Sequence, residues 1–113
     1  MCTKKDAISI LREAYRSCDN LLQHSIVDAY LYGSYARGDF HDESDVDILL
    51  TSTLPLEQIN STRRDIASIA SQLSLNHDIT VSLTVKQIDQ FRSHLSISPY
   101  YQNVLKEGIR YGA

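Results

Sequence analysis

A chain of 113 residues with a formal net charge of −3 can build one hydrophobic core but not a second catalytic module, so residues 1–113 read as a single domain. Its composition, 42% hydrophobic and 22% charged, is that of a globular protein and excludes disordered and fibrous classes. The acidic balance excludes general nucleic-acid binding, which draws its affinity from clustered Lys and Arg.

Ile8, Leu11, Tyr15, Cys18 and Leu22 recur at three- and four-residue intervals and predict an amphipathic helix over 5–23, with Thr3 and Asp6 as capping residues. Residues 27–34, rich in aromatic and branched side chains and stopped by Gly33, predict a first strand. The apolar run VDILLTS, 46–52, predicts a second strand buried on both faces. Pro55 opens a helix carried by Leu56, Ile59, Ile66, Ile69 and Leu73 to about residue 75, with Asn76 suited to its exit. HDITVSLTV, 77–85, alternates and predicts a third strand, Asp78, Thr80, Ser82 and Thr84 on one face and Ile79, Val81, Leu83 and Val85 on the other. The tail predicts two short helices broken near Pro99, a stop at Gly108 and an extended piece at Ile109–Tyr111. This order predicts a compact α/β or α+β sandwich with its sheet covered by helices.

No apolar run approaches the roughly 20 residues that span a bilayer, and the N-terminus lacks an uninterrupted apolar core. Cys2 and Cys18 have no metal-ligand spacing and read as free thiols. A cytoplasmic protein with no membrane partner is expected.

The stretch GSYARGDFHDESDVDILL, residues 33–50, crowds Asp39, Asp42, Glu43, Asp45 and Asp47 into one loop and strand entrance. Side chains two apart on a strand project to one side, so Asp45 and Asp47 share a face. Alone they repel, and one is expected to hold a proton; a divalent cation between them keeps both ionised. Hard oxygen ligands suit Mg²⁺ or Mn²⁺, and Mg²⁺ is commonly shared with substrate phosphates. Gly33 and Ser34 stand where a strand gives way to a turn or short helix, where backbone N–H groups attract anions and a missing side chain lets phosphate approach. Arg37 can reach a phosphate or a loop carboxylate such as Asp39; its forked donor serves both.

Gly33-Ser34, ten intervening residues and Asp45-Val46-Asp47 match the G-S-x10-D-x-D signature, and the fuller GSYARG and SDVDILL resemble minimal members of the DNA polymerase beta-like nucleotidyltransferase superfamily. The resemblance implies the polymerase beta palm-like fold, a small mixed sheet flanked by helices. It implies transfer of a nucleoside monophosphate, AMP from ATP, through two Mg²⁺ ions that clamp attacking and leaving oxygens. By resemblance Asp45 and Asp47 bind both ions, Gly33 and Ser34 the triphosphate, and a third carboxylate on a later strand binds one ion and the acceptor hydroxyl; Asp78 is the candidate. Similar minimal proteins pair with a HEPN-type toxin as antitoxins and adenylylate it on a Tyr. Two alternatives follow from other members: a non-catalytic antitoxin that masks its partner, and a small-molecule transferase resembling aminoglycoside-modifying enzymes, working as a homodimer.

The same residues have plainer readings. His24, His41, His77 and His94 fall on no ligand spacing. Tyr30, Tyr32 and Tyr35 can stack on a base, but strand aromatics more often pack against helices. Apolar residues in 96–113 fit either a self-association surface or the chain's own core.

Overall fold

In a computed structural model, which describes residues 2–111, the first helix, α1 (Lys4–Leu21), starts at a reciprocal cap. The Asp6 N–H donates to the Thr3 hydroxyl and the Thr3 N–H to the Asp6 carboxylate, satisfying two of the free donors of the first turn. The apolar stripe buries Ala7, Ile10, Leu11, Ala14 and Cys18. Ile8 and Tyr15 pack at its margin, so the buried seam lies slightly to one side of the one read from the large side chains alone.

Strand β1 (Ile26–Tyr32) leads through Gly33 into the one-turn helix α2 (Ser34–Arg37), and an acidic loop connects this to β2 (Val46–Ser52). The expected long helix after Pro55 is two helices, α3 (Leu56–Ser61) and α4 (Arg63–His77), broken at Thr62. The Thr62 hydroxyl donates back to the Ile59 carbonyl, a local bond that competes with helix continuation. Strand β3 (Val81–Gln87), α5 (Ile88–His94), α6 (Pro99–Glu107) and the short β4 (Ile109–Arg110) complete the chain. The Ser98 hydroxyl caps α6, with Pro99 in its first turn, where a missing N–H is no loss.

The sheet order is β3-β2-β1-β4, with β2 and β3 parallel and the other pairs antiparallel. Its mixed, helix-flanked character is the architecture expected from the sequence. The crossover between the parallel strands carries α3 and α4. On one face α1 and α4 cover Ala29, Leu31, Val46, Ile48, Leu50 and Val81. On the other, Phe91 of α5 and Val104 of α6 pack on Tyr30 and Leu49. That second cover reaches only part of the face, leaving the start of β2 uncapped by helix. The chain's last strand is held to β1 partly by Arg110, whose guanidinium reaches the Asp28 carboxylate at 2.6 Å.

One sequence expectation needs correction here. Residues 77–80 do not belong to a strand. Asp78 closes α4 in the left-handed conformation, at φ 50° and ψ 45°, which Asp tolerates better than most residues. Ser74 explains the shift: its carbonyl accepts from the Asp78 and Ile79 N–H groups, and its hydroxyl accepts from the Val81 N–H. The helix exit absorbs those donors, so the ladder begins at Val81.

Candidate active site

The open end of the sheet collects the acidic stretch. Asp47 lies in β2 and Asp45 just before it, two residues apart, on the face that also carries Leu49. Asp45 is exposed and Asp47 half-buried. Burial first, and then the neighbouring Asp45 charge, push the Asp47 carboxyl above the ordinary carboxylate range, while Arg37 draws it down. This is the repulsion expected for two carboxylates sharing a wall.

Gly33 fits against this pair. Its backbone adopts φ 75° and ψ −153°, outside the comfortable range of L side chains. A Cβ built on it falls 2.5 Å from the Asp47 Oδ2, inside contact distance. Glycine is therefore required twice, by conformation and by the proximity of the carboxylate. Ser34 follows as the first residue of α2, and the Gly33 carbonyl accepts from the Ala36 and Arg37 N–H groups. The N–H groups at the start of such a turn precede its first internal bonds.

Arg37 is held by carboxylates. Its Nε donates to Asp39 at 3.2 Å and another nitrogen to Glu107 of α6 at 3.4 Å, both in exposed geometry. The loop carboxylate named from the sequence, Asp39, is thus one of its contacts, and Glu107 of α6 is a second anchor.

Asp78, the candidate third carboxylate, is exposed and sits at the α4 exit rather than on β3, and among the described residues no three His, Cys, Asp or Glu side chains gather into a metal-binding group. Asp78 instead lines a cleft of about 820 Å³ with Asp6, Asp42, Glu43, Asp45 and His77. That cleft touches Asp45 but neither Asp47 nor Gly33, and its carboxylates would repel a triphosphate. That cleft is therefore a poor place for an anionic substrate.

Several neighbours of Asp47 escaped the sequence reading. Across the antiparallel pair stands Tyr32, and across the parallel pair stands Ser82. The Tyr32 hydroxyl bonds the Tyr100 hydroxyl of α6, with the rings edge-to-face at 5.5 Å. Burial, together with that bond, raises the Tyr32 pKa and keeps it protonated. No local signal marks these residues, because strand pairing decides which side chains flank Asp47. Tyr30 and Tyr35 follow the plainer reading: Tyr30 packs beneath α5 and α6, and Tyr35 is buried and stacked on Phe40 at 4.3 Å.

The donor set at Asp45 and Asp47 fits a hard divalent cation: two oxygen-donor carboxylates, one destabilised by the other, beside a backbone opening that a side chain would fill. A profile described as nucleotidyltransferase domain matches residues 11–111. The chain belongs to the nucleotidyltransferase domain family. Two relatives from Methanocaldococcus jannaschii agree. The protein named "Putative protein adenylyltransferase MJ0141" is 37% identical over 78 residues, covering 68% of this chain and 76% of its own. "Putative protein adenylyltransferase MJ0604" is 28% identical over 104 residues, covering 92% and 89%. The fold is shared with a crystal structure of a toxin-antitoxin with AMP-PNP, at a TM-score of 0.52 and 24% identity, covering 95% of this chain and 70% of that one. A mutant of the toxin-antitoxin MntA-HpeT aligns at a TM-score of 0.51 and 21% identity, covering 97% and 72%. Among the described residues, no helix is long and apolar enough to cross a membrane.

Proposed function

We propose that this nucleotidyltransferase moves AMP from ATP onto a hydroxyl of a partner protein, with Mg²⁺ or Mn²⁺ at Asp45 and Asp47, and that the partner is a HEPN-type toxin which it neutralises. The observation that carries the reading is the Asp45–Asp47 pair set against the side-chain-free Gly33. A divalent cation there would neutralise the carboxylates and the charge that develops on the phosphate oxygens. The residues' own part is to position. Asp45 and Asp47 fix the ion, and Gly33 and Ser34 present backbone and hydroxyl donors to the triphosphate. Arg37 would have to exchange its Asp39 and Glu107 contacts to reach a phosphate. The names of the two archaeal relatives support the protein acceptor, and the toxin-antitoxin structural neighbours support the partner. A partner docked over the uncapped part of the sheet would supply the acceptor that so small a domain lacks.

Incubation with ATP labelled at the α-phosphate, Mg²⁺ and the product of the adjacent open reading frame tests this reading. Label should enter that product with wild-type chain and not with Asp47→Asn. An authentic partner that never acquires label rules out the transferase reading.

A second reading is masking without catalysis, favoured by one observation: the β3 residue opposite Asp47 is Ser82, not an acid. Under it, Asp45→Asn/Asp47→Asn protein still binds and neutralises the partner; loss of neutralisation in that variant, with binding intact, excludes it.

A further inference from the structure

Strand β3 is an edge of the sheet, and the middle of its outer rim pairs with nothing. The Val46 N–H donates to the Thr80 carbonyl at 2.9 Å, so alternate residues from there, Ser82, Thr84 and Lys86, turn their main-chain groups toward β2. The residues between them turn theirs outward. Val81 spends its N–H on the Ser74 hydroxyl, but among the described residues no partner meets the main-chain groups of Leu83 or Val85. A groove of about 500 Å³ follows this rim. The successive residues Leu83, Thr84, Val85 and Lys86 all line it, and since neighbouring strand side chains point to opposite faces, only a groove along the edge can touch them all. Its far wall is the α3–α4 corner, where Leu56, Ile59 and Ile66 supply an apolar lining. Its charged lining is Arg63 and Lys86, with no acid, in a chain of net charge −3. Among the described residues neither cation is in an ion pair.

We propose that this edge is a docking site for an extended, acidic segment of a partner protein, which adds to β3 as a further strand of the sheet. The segment's main chain pairs with Leu83 and Val85, its alternate apolar side chains pack on the α3–α4 corner, and its carboxylates meet Arg63 and Lys86. A second copy of this chain is the poorer occupant. Pairing two β3 edges would bring Arg63 and Lys86 of both copies into one groove, and a lysine on an exposed edge works against such self-pairing. The site uses neither Asp45 nor Asp47, so it goes beyond the transferase reading and stands or falls separately from it.

Nuclear magnetic resonance of the isotope-labelled full chain, titrated with a synthetic peptide of alternating Val and Glu as long as β3 and with its Val and Lys counterpart, tests the proposal. The acidic peptide should shift the Leu83 and Val85 amides and slow their hydrogen exchange, and the basic one should bind about tenfold more weakly or less. Arg63→Glu/Lys86→Glu should reverse that preference, a change that a merely structural role for the two cations would not produce. Val85→Pro removes one outward donor and should abolish binding of the acidic peptide. Unprotected Leu83 and Val85 amides at saturating acidic peptide overturn the proposal, as do equal affinities for the two peptides or a folded Val85→Pro that binds as wild type. If Val85→Pro fails to fold, the charge-reversed variant decides. Sedimentation that finds a dimer of wild-type chain, with Leu83 and Val85 protected in it, would assign the edge to a second copy and equally overturn the proposal.

Discussion

The Cβ that Gly33 lacks would lie 2.5 Å from the Asp47 carboxylate, at a residue whose φ is 75°. Strand end and acid are thus fitted to each other, and under the function proposed above the glycine holds open the space a phosphate would use. Gly33→Ala should lose about 1–3 kcal/mol of stability from backbone strain, before the displaced Asp47 is counted. Denaturant unfolding measures that loss. Transfer activity should fall further than stability accounts for, because Asp47 must move aside.

Asp47 gives the domain a defined pH response. Its folded carboxyl is held above the unfolded value by burial and by Asp45. The folded state therefore binds this proton more tightly, and the group's contribution to stability is fully present below the unfolded pKa near 3.9. That contribution is lost as pH rises from there through the folded pKa. Asp47→Asn should remove this loss, so that between pH 5 and 7 the variant melts at or above the wild-type temperature while transferring no nucleotide. Mg²⁺ should raise the wild-type melting temperature and leave the variant's nearly unchanged. A variant that melts well below wild type would mean the pair is not a source of strain.

What the sequence showed and what it withheld divide along one physical line. β2 is read to the residue because a strand buried on both faces writes a near-continuous apolar run, here from Val46 with the one acid Asp47 embedded in it. The Thr3–Asp6 cap is equally local, with both partners within one turn. Asp45 and Asp47 share a face by strand parity alone. One failure is a local competition, and the others are non-local. HDIT alternates as well as any strand start, yet Ser74 claims the Asp78, Ile79 and Val81 donors and prolongs the helix exit. Parity put Ser82 and Thr84 on one face, but only the parallel register sets Ser82 beside Asp47. Tyr100 meets Tyr32 across 68 residues, a contact that no window of sequence contains.

Two tyrosines should resist ionisation. Tyr32 is raised above its ordinary value by burial and its bond to Tyr100, and burial pushes Tyr35 up to about 12. Absorbance at 295 nm should therefore show these two staying protonated until the fold gives way. Protonated phenol is the favoured folded form, so their contribution to stability is complete below about pH 10 and declines above it. Tyr100→Phe removes one cause of the Tyr32 shift and should lower its pKa. An unchanged late phase in that variant would show that burial alone accounts for it.

The two thiols should differ as sharply. Cys18 is fully buried among α1 and its neighbours, and desolvation pushes its pKa up to about 12, whereas Cys2 is only partly covered. Because the thiolate is the reactive form, a thiol-specific disulfide reagent at pH 8 should consume Cys2 promptly and reach Cys18 only as fast as the domain unfolds. The slow phase thus reports global opening, and its rate should rise with denaturant in step with unfolding followed by circular dichroism. Cys18→Ser, which places a hydroxyl among apolar side chains, should cost about 1–3 kcal/mol. A native-state Cys18 that reacts as quickly as Cys2 would mean that α1 detaches from the sheet locally, without the rest of the core.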